Sequence, residues 1–539
     1  MSKLILTHEW AQTALNRGAL ILSKAISPTM GPIGRTVLMS HRGSKPKFVS
    51  DGFTITRQLE LLDPFEDMAI RFLEEASERV REACGDGTST TVILAEAILR
   101  AAQPSLAMGA DAMAMAQGMR VCVEPAVRAL QDLSTPIANE EELGAIGAVA
   151  SKDKEIGAKV ANLVFQLGPD GAVIALPSKG REFSAELIEG FHFDHGALSP
   201  YFITDRTKME AVLENPYILL TGSTLEFVDD ILPALEKILP TARRLVILAE
   251  DVKGEALAGL AMNQERGNLE VLAVKAPDAG GRQEERLKDL AAAIGATVLP
   301  DDHTGRTLAD INLEDLGQVE RVVSDRSSTT IYGLRGDEET ISRRVRIIQG
   351  EIEDAQTDQY ARYLTERIGA IQGQTGYLHI GGITEAEAEE RLPRVRNAVA
   401  ACKEALRTGW VPGGGVALVS AAGALESINL EGDELIGLRA LQSAMVFPFL
   451  TIVHNSGAEP SLYLDRLADA GDDATIDAVT GEITSARESG IMDATGAVEA
   501  VLRRSVSVAM SLLTVDVAIA DVPVAGPMGD RLDMGAKYE

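Results

Sequence analysis

Apolar positions along the chain follow two periods, and the change of period divides it. Near the N-terminus they recur every three to four residues and predict a helix over about 9–25. Ser27-Pro28-Thr29-Met30-Gly31-Pro32-Ile33-Gly34-Arg35 holds two prolines and two glycines and predicts a turn. The short runs Thr36–Met39 and Lys47–Ser50 flank a Gly-containing segment and predict a hairpin that runs into Asp51-Gly52. Pro64 to Cys84 reads as a long helix with Met68, Phe72, Ala76, Val80 and Ala83 as its apolar stripe. It stops at Gly85-Asp86-Gly87. Val92-Ile93-Leu94-Ala95 belongs to the next helix, and helices continue to about Leu133, with Pro136 breaking the pattern.

The middle of the chain alternates short β-like runs with helical ones. Gly171–Ala175, Tyr217–Leu220, Leu245–Leu248 and Val271–Val274 read as strands; Leu225–Leu239, Gly254–Glu265 and Gln283–Ile294 read as helices. Such alternation predicts an α/β domain. A polar helix over 337–366 follows. Helical character then returns from Ala386 to Leu513, interrupted by Gly413-Gly414-Gly415. The likeness of the two ends predicts one helical domain built from both termini, with the α/β domain inserted between them. No solenoid repeat or low-complexity tract is visible.

At 539 residues the chain exceeds a single compact core, so two to four domains are expected. Aromatics are only 4%, so the core must rest on Ala, Val, Leu and Ile. Acidic residues number 80 against 51 basic ones, a net charge of −29 that argues against a nucleic-acid partner. Cys84, Cys122 and Cys402 are isolated, which fits reduced thiols in a cytoplasmic protein better than disulfides or zinc. No signal-peptide core opens the sequence and no uninterrupted apolar run approaches about 20 residues, so no membrane span is expected.

Gly85-Asp86-Gly87-Thr88-Ser89-Thr90-Thr91, between two apolar helices, is the most informative segment. Its glycines let backbone approach a ligand, its hydroxyls can donate to phosphate oxygens, and the next helix presents its positive end. Asp86 fits phosphate binding if Mg²⁺ lies between them. The same residues would equally serve as an N-capping cluster in a tight turn. The segment is not a GxxxxGK[ST] loop. Met30-Gly31-Pro32-Ile33-Gly34, Asp51-Gly52 and Gly413-Gly414-Gly415 are weaker turns of the same kind. No Ser/His/Asp triad, HExxH or Cys/His pair stands out, which leaves little support for an unrelated nucleotide enzyme.

Together these turns resemble the group I chaperonins, the GroEL-like family. Gly31-Pro32-x-Gly34-Arg35, Asp51-Gly52, Gly85-Asp86-Gly87-Thr88, Leu198-Ser199-Pro200-Tyr201-Phe202, Ala249-Glu250-Asp251-Val252, Val274-Lys275-Ala276-Pro277, Leu313-Glu314-Asp315-Leu316-Gly317 and Gly413-Gly414-Gly415-Val416-Ala417-Leu418 occur in the family's order. The resemblance runs from about residue 8 to 523. It implies a multidomain α and α/β fold. Residues 1–135 and 409–523 would form a helical equatorial ATP-binding domain, 136–189 and 374–408 a small intermediate domain, 190–373 an inserted α/β apical domain, and 524–539 a C-terminal tail. It further implies a homo-oligomeric heptameric ring, single or double, that uses ATP, Mg²⁺ and K⁺. The ring would act on unfolded polypeptides with a GroES-like co-chaperonin of the 10-kDa class.

Carried over by resemblance, Thr29, Met30, Gly31, Pro32, Asp86, Gly87, Thr88, Ser89 and Thr90 would hold the phosphates, with Asp86 on Mg²⁺. Gly414, Asp477, Ala478, Val479 and Asp493 would line the nucleoside. Thr29, Ser50 and Ser89 would surround K⁺. Tyr201, Phe202, Leu232, Leu235, Leu257, Ala261 and Met262 would form the polypeptide-binding surface; from periodicity alone the same stripes read rather as core. The sequence departs from the family at Asn397, where relatives carry the Asp that positions the attacking water. An amide is no base, and Asp51 is the only evident carboxylate left for that role. Ile33 and Ser50 stand where many relatives have lysine, and Leu450 and Pro104 alter the expected ring–ring contact. The expectation is an ATP-driven folding chamber with slow turnover; the alternative is a largely non-hydrolysing ring that acts as holdase or scaffold.

Overall fold

The computed structural model describes residues 3–40, 46–49, 51–178, 180, 182–205, 207–240, 243–300, 304–382 and 384–521. Ser50 and the tail 524–539 lie outside the described residues. The chain forms two compact units: Met1–Phe165 joined by Glu390–Glu539, and the continuous insertion Gln166–Glu389.

The first unit is helical. His8–Ile26, Pro64–Cys84, Thr88–Ala107, Ala112–Leu133, Gly432–Met445 and Thr495–Leu513 pack around one core of Leu, Ile, Val, Ala and Met side chains. Small residues set the spacing of these helices. A Cβ on Gly118 would lie 2.0 Å from Glu434 O, and one on Gly437 would lie 2.0 Å from Met115 O, so two helices touch backbone to backbone. Strand Lys3–Thr7 pairs antiparallel with Val517–Asp521 and ties the two ends together. Val37–Met39 pairs with Lys47–Val49 as the predicted hairpin.

Several expectations need correction. On Pro64–Cys84 the buried stripe is Phe65, Ala69, Leu73, Ala76 and Val80, while Met68 and Phe72 are exposed. Both stripes satisfy helical spacing, and only the neighbouring helices choose between them. Asp51-Gly52 is no mere turn but the start of the helix Gly52–Gln58. The predicted polar helix over 337–366 is two helices, Glu338–Glu353 and Asp358–Gln372. The stretch 386–513 holds strands: Trp410–Pro412 pairs with Met492–Ala494, and Ala474–Asp477 with Glu482–Ser485. Gly432–Asn455 is long and apolar enough by composition to cross a membrane, although no such segment was expected. Here Leu438, Leu441, Met445, Phe449 and Val453 from it are buried in the unit.

The second unit is α/β. Glu270–Lys275, Arg244–Ala249, Tyr217–Thr221 and Val298–Leu299 form a parallel sheet in that order, with Gly317–Gln318 antiparallel on Tyr217–Thr221. Val228–Ile238, Gly254–Glu265 and Gly281–Ile294 are the crossover helices that parallel pairing requires. Two further sheets were not foreseen as such, although one includes Ala172–Pro177, the strand expected at Gly171–Ala175. One is antiparallel, ordered Phe191–Phe193, Thr329–Tyr332, Arg321–Ser324, Ala211–Glu214; the other places Gln374–Ile380 between Ala172–Pro177 and Ser184–Glu189.

A buried charge cluster joins three helices of this unit. The Asp289 carboxylate is fully buried and accepts from Arg344 Nε at 2.7 Å, Arg367 Nε at 2.7 Å and Arg367 Nη2 at 3.1 Å. Arg344 Nη2 also donates to Glu285 Oε2 at 2.6 Å.

Candidate functional site

Four turns of the first unit converge. Gly87 caps the helix Thr88–Ala107 in a left-handed conformation, φ 87°, and no side chain caps it among the described residues. The first intrahelical bond runs from Thr91 N–H to Gly87 O, so the amides of Thr88, Ser89 and Thr90 precede the ladder and offer an anion site with the helix's positive end. The Asp86 carboxylate folds back to accept from Gly87 N–H at 2.6 Å.

Two glycine contacts bring other turns to this one. A Cβ on Gly52 would lie 2.2 Å from Ser89 Oγ, which sets Asp51 beside the loop. A Cβ on Gly85 would lie 2.1 Å from Asn397 O and 2.9 Å from Ala400 Cβ, so the helix Glu385–Thr408 rests on the loop at Asn397. The turn Ser27–Met30 is held by Asn455, whose Nδ2 donates to Ser27 O at 2.7 Å and Met30 O at 3.0 Å. Thr29 and Met30 are buried there, and Gly31 and Pro32 are exposed.

Asp493 lies on strand Met492–Ala494 opposite Val411, and its Oδ1 would stand 3.2 Å from a Cβ on Gly413. Gly414 and Gly415 both have positive φ, and Thr475 Oγ1 donates to Gly413 O at 3.0 Å. Asp477 accepts from Val479 N–H at 2.8 Å in the hairpin turn; Ala478 is buried and Val479 exposed.

The electrostatics are those of a site short of positive charge. Burial raises the pKa of Asp86, and the Asp51 charge adds to it against the Gly87 amide and Lys152. Burial, then the Asp86 charge, pushes Asp493 up to about 7. Two desolvated carboxylates beside free helix-end amides and hydroxyls fit a divalent cation shared with phosphate oxygens. No cluster of three or more His, Cys, Asp or Glu suited to a metal occurs among the described residues. Mg²⁺ typically needs none, since it binds through one or two carboxylates plus phosphate and water.

Raised carboxylate pKa values have a sign. Between about pH 4 and 7 the folded protein keeps a proton on Asp493 that the unfolded chain has lost, so stability falls as pH rises through that window. The Asp493→Asn variant should lose this part of the decline, so its ligand-free melting temperature should vary less across that window, from about pH 4.5 to 8. Identical pH profiles for the two proteins would refute it. Gly85→Ala should destabilise the first unit by about 3 kcal/mol, from a left-handed Cβ and a clash with backbone. Denaturant unfolding would measure this, and a change under about 0.5 kcal/mol, the ordinary surface effect, would contradict the packing.

Asp51 is occupied as a helix cap: its Oδ2 accepts from Thr54 N–H at 3.0 Å and Thr54 Oγ1 at 2.9 Å. Asn397 is half-buried. Lys152, in the left-handed conformation (φ 56°) that ends helix Glu140–Ser151, acts on Asp86, and Asn455 clamps the Ser27–Met30 turn. The sequence reading missed both, and no local signal marks them.

In the second unit, helices Val228–Ile238 and Gly254–Glu265 expose Leu232 and Met262, with Tyr201 exposed on the adjoining turn. Leu235, Leu257 and Ala261 are half-buried against the core. Phe202 is a correction: it is fully buried in that core and offers no surface. Phe227, 57% exposed, and Val228 add apolar surface the sequence reading left out.

The family model of the TCP-1/cpn60 chaperonins matches residues 22–523. The chain belongs to that family. It is thus a chaperonin of the 60-kDa class, with the multidomain α and α/β fold of that class. Chaperonins are nucleotide-dependent chaperones whose rings act on unfolded proteins. In this chaperonin the match spans all four converging turns and the apolar helices of the second unit.

Proposed function

We propose that the chain is the subunit of a group I chaperonin that binds ATP at the converging turns, closes around unfolded polypeptides and hydrolyses ATP slowly. The observation that carries this reading is the Gly85–Thr90 loop. It opens a helix with free amides, holds a desolvated Asp86 near Asp493, and meets Asn397 where relatives place a carboxylate. Thr29 to Pro32 and Asp86 to Thr90 would hold the phosphates, and Asp86 would hold Mg²⁺, which supplies charge neutralisation of the phosphates. Thr29, Ser50 and Ser89 would take K⁺. Gly414, Asp477 to Val479 and Asp493 would face the nucleoside.

The rest of the reading follows the resemblance. The equatorial, intermediate and apical parts are 1–135 with 409–523, 136–189 with 374–408, and 190–373. Seven subunits make a ring, single or double, and a 10-kDa co-chaperonin closes it. Tyr201, Leu232, Leu235, Leu257, Ala261 and Met262 receive apolar client segments. The three cysteines are buried and free, and burial pushes Cys84 and Cys402 up to about 12 and Cys122 to about 11. Such thiols are inert and suit a reducing cytoplasm.

Asn397 favours a second reading, a ring that binds ATP without useful turnover and holds or scaffolds its clients. Refolding of a denatured client with ATP, with and without co-chaperonin, separates the two. Recovery of client activity that needs ATP hydrolysis supports the folding chamber. Capture without release supports the holdase. Failure to bind nucleotide at all refutes both.

A further inference from the structure

We propose that the second unit carries a binding site for a free α-amino acid, built around Arg286. A cavity of about 270 Å³ lies in this unit, lined among others by Asp194, His195, Asp278, Arg286, Tyr363 and Glu366. It is remote in sequence from every nucleotide turn. It also shares none of its lining with the apolar residues assigned to clients.

Arg286 is the centre of the argument. It sits on helix Gly281–Ile294, is only 8% exposed, and its guanidinium carbon stands 5.0 Å above the Phe191 ring. Its Nε lies 3.6 Å from Asp278 Oδ2, while its Nη1 is buried with no acceptor. An unmatched charged donor is costly, so an acceptor brought by a ligand would be rewarded. Asp278 cannot fully serve: the same Oδ2 already takes the Tyr363 hydroxyl at 3.0 Å. Asp278 is also in the left-handed conformation, φ 64°, which Asp enters more readily than most residues.

The cavity holds the opposite need as well. Glu366 makes no hydrogen bond or ion pair among the described residues; burial raises its pKa, the Arg286 and Arg362 charges oppose the rise, and Asp194 and Asp278 add to it. It would gain from a cation. His195 gives its Nδ1 to Ala276 O at 2.8 Å, so the neutral ring keeps Nε2 as a further acceptor. A plain anion would satisfy Arg286 and be repelled by Glu366, Asp278 and Asp194. A plain amine would satisfy the acids and leave Arg286 unmatched. A solute that joins a carboxylate to an ammonium satisfies both. The volume lies just under the roughly 300–1,000 Å³ of sites for drug-sized ligands, which suits a solute the size of an amino acid.

The test uses the full chain. Thermal unfolding is followed with each proteinogenic amino acid at millimolar concentration, then with the amide and the des-amino acid of the best one. At least one amino acid should stabilise the protein saturably. Its amide and its des-amino analogue should each bind about tenfold more weakly or worse, the worth of one charged hydrogen bond. Arg286→Met and Glu366→Gln should each lose about as much. If Arg286→Met fails to fold, Glu366→Gln, at a half-buried position, decides alone. The proposal falls if no amino acid stabilises the protein, if either analogue binds equally well, or if the folded variants bind unchanged. Saturable binding of inorganic phosphate in place of amino acids would also overturn it, by making the cavity a plain anion site.

Discussion

The Asn397→Asp variant is expected to hydrolyse ATP about 10²-fold faster than the unaltered chain, the lower end of what a positioned general base contributes. The substitution is close to isosteric, and the residue's contact with the loop runs through its backbone oxygen beside Gly85. The fold therefore has no reason to change, and the gain reports chemistry. The amide can orient water but takes no proton. A further carboxylate beside the loop that already holds Asp86, Asp51 and Asp493 adds repulsion in the empty site, so the ligand-free variant should be slightly less stable and should recover with Mg²⁺ and nucleotide. Steady-state phosphate release measures the rate. An unchanged rate, with nucleotide binding intact, would show that position 397 is not where the base is missing. Asp51→Ala is the companion: loss of its cap should cost about 1 kcal/mol. Loss of the residual turnover as well would assign that turnover to Asp51.

Asp289→Ala should loosen the second unit by about 3–5 kcal/mol, the cost of breaking a buried ion cluster from one side. Asp289 is fully buried and Arg367 is 2% exposed, so removing the carboxylate strands a guanidinium with nowhere to reach water. Arg344 keeps Glu285 and Arg367 keeps weaker contacts to Glu285 and Glu351, at 3.5 Å each, which sets the loss at that range and not above it. Hydrogen exchange is the suited readout because the chain has two units and a single melting point mixes them. Exchange should quicken across Gly281–Ile294, Glu338–Glu353 and Asp358–Gln372, the three helices the cluster joins. Protection unchanged there would mean the cluster contributes no net stability.

How much of this was legible beforehand follows the range of the interactions. Helix Gly254–Glu265, strand Tyr217–Thr221 and the Gly85-Asp86-Gly87 turn were readable because their signals are local: an apolar period, a β-rich run, glycines between two helices. So were the family motifs, each a short string tied to a backbone need. The strands Trp410–Pro412 and Met492–Ala494 were not, because each is three residues long and exists only by pairing with the other. The helix at Gly52 was hidden for a related reason, since its cap residue also reads as a turn.

By itself the sequence determined most of the long helices and that both ends share a character distinct from the middle. Tertiary structure alone decided which side of a helix faces inward. Met68 and Phe72 satisfy the helical period as well as Ala69 and Leu73 do, and only the packing of Pro64–Cys84 on its neighbours buries the second pair. It likewise put Phe202 in the core, set Asn397 against Gly85, and gathered Arg286, Tyr363 and Glu366 around one cavity. Periodicity fixes a residue's angle around its own helix axis, whereas burial depends on what stands opposite, and that comes from far along the chain.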